Sequence, residues 1–78
     1  MEVKVLLKYS LYRKYLKDRD YGQVKLKEGA TVHDLVNELE VPEYYLMRIT
    51  VNDKDENFGS VLSHGDTVVI WPPRIGGG

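Results

Sequence analysis

The amino-acid sequence predicts an α+β domain in which a mixed sheet of four or five strands packs on one main helix. Two patterns lead there. Apolar and polar residues alternate in several short runs, and one stretch between them carries its apolar residues at helical spacing. With 78 residues the chain is too short for two cores, so all these elements must share one.

Val3, Val5 and Leu7 alternate with Glu2, Lys4, Leu6 and Lys8, a period of two that buries one row and defines a first strand. Tyr9 to Arg19 mixes three tyrosines with Lys and Arg without a clean period and reads as a loop with one helical turn. Asp18-Arg19-Asp20-Tyr21-Gly22 then supplies turn chemistry. Val24 and Leu26 alternate with Gln23, Lys25 and Lys27 up to Glu28-Gly29, so the second strand should pair with the first across a long connection.

Thr31 is the predicted helix cap, and Asp34 stands where a capping box usually has Glu, at the positive end of the helix dipole. Val32, Leu35, Val36 and Leu39 form the apolar stripe. Val41-Pro42 ends the helix, because proline lacks an amide donor and disfavours a helical residue before it. Met47, Ile49 and Val51 resume the period of two with Arg48 and Thr50 facing the other way, followed by a polar turn from Asn52 to Asn57. Thr67 to Trp71 forms the closing strand after the turn Ser63-His64-Gly65-Asp66.

A single helix covers a single sheet face. Val68 and Ile70 take the buried side of the last strand, so alternation points Trp71 outward, together with Val69 and with Leu6 of the first strand. An apolar patch left open on so small a domain marks a partner surface.

Composition narrows the chemistry. Lys and Arg number 11 against 12 Asp and Glu, a net charge of -1 that carries no nucleic-acid footprint. There is no cysteine for a disulfide, thiolate site or redox pair. The apolar stretches are only a few residues long and the start Met1-Glu2-Val3-Lys4 is charged at every second position, so no membrane association and a cytoplasmic location are expected. His33 and His64 lie in different elements without a ligating partner, and no metal site is expected. Ser10, Ser60 and Ser63 lack a nucleophile elbow, and His64 beside Ser63 lacks a third group to orient it. The terminal glycines are not followed by a helix and the Lys and Ser or Thr of a phosphate loop. Counting from Asp53, past Asp55 and Glu56, the sixth position that a calcium loop needs as glycine is Phe58.

What remains is Trp71-Pro72-Pro73-Arg74-Ile75-Gly76-Gly77-Gly78, which divides the chain into a domain over 1–73 and a glycine-rich, flexible tail over 74–78. Two prolines steer the chain away in extended form, and the five residues after Pro73 can reach about 17 Å. Glycines would pass a channel too narrow for a Cβ and leave the carboxylate of Gly78 accessible. The alternative is a frayed end.

Leu62-Ser63-His64-Gly65-Asp66-Thr67-Val68-Val69-Ile70-Trp71-Pro72-Pro73, followed by terminal glycines, resembles the closing segment of the MoaD and ThiS sulfur-carrier proteins of the ubiquitin-like β-grasp class. Thr31-Val32-His33-Asp34-Leu35 and Val51-Asn52 look like that family's helix start and third strand, and the paired prolines favour the MoaD side. Three glycines stand where the family usually has two, and Arg74-Ile75 replaces a small or apolar pair.

The resemblance implies a carrier, not an enzyme. It implies a ubiquitin-activating-like enzyme of the MoeB or ThiF type that uses ATP in trans to adenylate Gly78, with no cofactor bound to this chain. A sulfur donor would then leave a C-terminal thiocarboxylate. In the MoaD reading the sulfur goes to the precursor of molybdopterin, the chain being the small subunit beside the large subunit of molybdopterin synthase. Gly76 and Gly77 would form the tail. Trp71, Leu6 and Val69 would anchor the partners, with Lys8, Arg48 and Arg74 around them. Other readings are a ThiS-like or tRNA-thiolation carrier, a ubiquitin-like modifier of lysines, and a non-catalytic ubiquitin-like interaction domain.

Overall fold

A computed structural model describes residues 1–8 and 21–72 of the chain. The predicted loop from Tyr9 to Arg19, Ser10 within it, and the tail residues Arg74, Gly76, Gly77 and Gly78 lie outside the described residues.

The elements run β1 (Glu2–Leu7), β2 (Tyr21–Lys25), α1 (Val32–Leu39), a 3-10 turn (Glu43–Tyr45), β3 (Arg48–Val51), β4 (Lys54–Asp55) and β5 (Thr67–Trp71). They build a five-stranded sheet in the order β2-β1-β5-β3-β4. β1 and β5 run parallel at its centre, while β2, β3 and β4 join antiparallel. Among the described residues this is the expected mixed sheet with one helix.

Register decides which side chains meet. Val3 lies opposite Val24, Val5 opposite Val68, and Ile70 between Leu7 and Ile49, so one face carries an unbroken apolar patch. The stripe of α1 lies on it: Val3, Val5, Val32, Leu35, Val68 and Ile70 have no exposed surface, and Leu39 is half-buried against them. Each such side chain contributes roughly 1.5 to 3 kcal/mol when removed from water.

The start of α1 is held as the sequence predicts. Thr31 Oγ1 accepts from the Asp34 amide at 3.3 Å while Asp34 Oδ2 accepts from the Thr31 amide at 2.9 Å. Two further amides of the first turn donate to the loop before β5, Val32 to Ser60 O and His33 to Phe58 O. The helix stops at Glu40, which adopts a left-handed conformation with φ 59° just before Val41-Pro42.

Some expectations need correction. Met47 does not join the buried row: β3 begins at Arg48, the chain arrives from the 3-10 turn, and Leu46 takes the place against the core while Met47 stays 69% exposed. Thr50 does face away from the helix with Arg48, yet it is only 2% exposed, because it sits mid-sheet between Val69 and Asp55. Tyr21-Gly22, read as part of a turn, already belongs to β2. The segment after Val51 is a two-residue hairpin in which Asn52 and Asp53 both have positive φ, and it leads directly into the short strand β4.

A network at this end sets the register of β5. Gly65, at φ 86°, lets the turn before β5 close. Asp66 Oδ2 accepts from the Ser63 amide and Oδ1 from Asn52 Nδ2, both at 2.8 Å, while Asn52 Oδ1 accepts from the Thr67 amide at 2.9 Å. The Gly-Asp pair therefore fastens the β3–β4 hairpin to the first residue of β5. That fixes which residue ends the strand on the open face, namely Trp71.

Candidate partner-binding face

On the face away from α1, Leu6 of β1 lies beside Val69 of β5, and Val69 beside Thr50 of β3. Leu6, Val69 and Trp71 are all half-buried, so the apolar middle of this face is partly covered by its neighbours. Arg48 is the register partner of Trp71, and the Lys8 amide bonds Ile70 O at 3.0 Å, which carries the β1 pairing one residue past Leu7.

Both cations consequently reach the indole. The Arg48 guanidinium carbon lies 4.9 Å from the ring centroid and Lys8 Nζ 5.8 Å, distances at which the negative face of the ring attracts a cation. Arg48 Nε also donates to Asp55 Oδ1 at 2.7 Å. That hydrogen bond and the attraction of the opposite charge hold the Asp55 carboxyl below its ordinary range and push Arg48 further up. With 55% and 70% of the two side chains exposed, the pair adds little to stability and mainly orients Arg48.

The structure thus brings Leu6, Lys8, Arg48, Val69 and Trp71 together, while Arg74, Gly76, Gly77 and Gly78 lie outside the described residues. It adds two residues that sequence reasoning missed. Asp55 falls within the polar turn that the sequence predicts from Asn52 to Asn57, and the tight Asn52-Asp53 hairpin returns it to Arg48. Met47 is exposed at the same end of the sheet, its amide donating to Trp71 O at 2.9 Å.

His33 and His64 are exposed and both are engaged: His64 Nδ1 accepts from the Glu2 amide at 3.0 Å, and the His33 ring meets Phe58 edge-on. Among the described residues no three His, Asp or Glu side chains converge on a metal position. No described helix is long and apolar enough to cross a membrane. The described residues supply a surface beside the point where the chain leaves the sheet.

A five-stranded mixed sheet in this order, with α1 packed on one face, defines a ubiquitin-like β-grasp protein. SAMP1 from Haloferax volcanii shares the fold with a TM-score of 0.76 and 19% identity, over 99% of this chain and 100% of that one. The sequence matches the ThiS family over residues 13–78, and the chain belongs to that family of ubiquitin-like sulfur carriers. A Pyrococcus furiosus protein assigned as molybdopterin converting factor subunit 1 is similar with a TM-score of 0.75 and 25% identity, over 95% of this chain and 99% of that one. A chain of the Amycolatopsis orientalis BexX/CysO complex follows with 0.68 and 26%, over 96% and 99%. Comparison with curated proteins finds no match.

Proposed function

We propose that this chain carries sulfur as a thiocarboxylate on Gly78. A carboxylate is a poor electrophile, so its oxygen first attacks the α-phosphorus of ATP on an adenylating enzyme and pyrophosphate leaves. A sulfur nucleophile then attacks the acyl carbon and AMP leaves. The chain is a co-substrate in both steps, with ATP held by the partner. The observation that carries this reading is that the family match runs through Gly76-Gly77-Gly78.

The sulfur acceptor we propose is the precursor of molybdopterin, with the chain seated as small subunit on the large subunit of the synthase. The paired prolines Pro72-Pro73 support this, as does the likeness to the Pyrococcus furiosus protein at 25% identity. The open face with Trp71 at its edge would grip each partner in turn while the tail enters the partner's site.

The test is intact-mass analysis after incubation with ATP, sulfide and the adenylating enzyme of the source organism. Replacement of one oxygen by sulfur is expected. An unchanged mass, with an enzyme shown to be active on another carrier, would reject the reading, and isopeptide adducts on lysines of other proteins would make the chain a modifier instead.

A further inference from the structure

Charge is divided between the two sides of this domain. From Glu28 to Met47 the chain holds five acidic residues, Glu28, Asp34, Glu38, Glu40 and Glu43, and no Lys or Arg. Among the described residues the open sheet face carries the opposite sign: Lys4, Lys8 and Arg48 against Glu2 and Asp55. A protein whose net charge is -1 therefore shows a net positive face beside its tail. Apolar packing alone would not require this segregation.

The centre of that face is also built to read an anion. Arg48 lies against the indole of Trp71, which restricts the plane of its guanidinium. A guanidinium has five N–H donors, and among the described residues Arg48 gives only its Nε–H, to Asp55. The outer donors remain for a second carboxylate, in the two-pronged geometry that favours Arg. Lys8 supplies a further positive charge by the same ring.

We propose that the open sheet face docks an acidic protein surface, namely a cluster of Asp and Glu bordering the site into which the adenylating enzyme draws the tail. This deepens the sulfur-carrier reading and rests on it. Carboxylates of the partner bind Arg48 and Lys8 on either side of the Trp71 contact, and the acidic helix side is repelled, which selects the orientation that brings the tail to the active site. Such complementarity acts chiefly on association, and salt weakens it.

The experiment is ATP–pyrophosphate exchange by the adenylating enzyme of the source organism, with the full chain as variable substrate at low and high NaCl. For the wild type, KM should rise about tenfold or more between the two, with kcat unchanged. At low salt Lys8→Glu and Arg48→Glu should each raise KM by about tenfold and flatten the salt dependence, and Glu38→Lys on the helix side should stay within about twofold. Urea melts report whether each variant is folded, and the wild-type salt series decides the matter even if Arg48→Glu does not fold. Normal exchange with a KM indifferent to salt and to charge reversal would overturn the acidic-partner proposal and leave the carrier reading standing. No exchange at any concentration of wild type would overturn both.

Discussion

On the helix side of the sheet, Val3, Val5, Val68 and Ile70 meet Val32 and Leu35 with no surface left exposed, whereas on the other side Leu6, Val69 and Trp71 stay half-buried within a rim of Lys8, Arg48 and Asp55. The same strands supply both faces, residue by residue. Because successive side chains point to opposite sides, β5 can place Val68 and Ile70 in the core and Val69 and Trp71 at the surface, so the demands of folding and of the proposed recognition fall on different residues. Substitutions should therefore separate: those on one face change stability, those on the other change binding.

The largest effect belongs to the core. Leu35→Ala should destabilise the domain by about 2 to 5 kcal/mol in urea melts, since it leaves a cavity at the centre of the α1 contact. In a domain this small that is much of the total stability. A loss well below 1 kcal/mol would mean that the helix contributes little to the core and the contrast between the faces fails.

Trp71→Ala should do the reverse. Its stability cost is expected to stay within about 1 kcal/mol, the scale of lost exposed cation–π contacts. Its affinity for the adenylating enzyme should fall by about thirtyfold or more, the usual cost of removing a central aromatic anchor. Normal binding combined with a much earlier melt would move Trp71 to the core side of the comparison.

A smaller, pH-dependent effect sharpens the helix side. The backbone hydrogen bond from Thr31 holds the Asp34 carboxyl below its ordinary value. A carboxyl lowered on folding stabilises the protein above its unfolded pKa, near 3.9, and that contribution is lost as pH falls through the lower folded value. Wild type should thus be more stable than Asp34→Asn at neutral pH, and the difference should begin to shrink near about pH 4 and be lost as pH falls through the lower folded value. A difference that is constant with pH would show that the charge of Asp34 is irrelevant to the cap.

How far the sequence discloses this structure depends on the range of the interactions involved. β1, the capped start of α1 and β5 are legible because each is a local pattern: alternation, a Thr31–Asp34 spacing, or a strand after Gly65-Asp66. Leu62 is 2% exposed while its neighbour Val61 is 66% exposed, a choice that no local pattern makes; the bridge between Thr31 and Val61 and the bond from the Leu62 amide to Ala30 O bring Leu62 to the core. Met47 fits the alternation and is nevertheless exposed, because the pattern does not show where a strand begins. The site divides in the same way. Alternation places Leu6, Val69 and Trp71 on one face, while the Arg48–Asp55 contact depends on a two-residue hairpin with positive φ at Asn52 and Asp53, and a run of polar residues from Asn52 to Asn57 does not show that the turn is that short.

The most direct test of the account is a truncated chain lacking Gly77 and Gly78, measured for both folding and activation. The urea midpoint should equal that of the full chain, because folding rests on the core between α1 and the sheet, and ATP-dependent sulfur incorporation should be lost completely, because the carboxylate proposed to react and its reach are gone. A truncated chain that melts early, or one that still accepts sulfur, would contradict the division between a face that folds the protein and a face whose tail is proposed to do the chemistry.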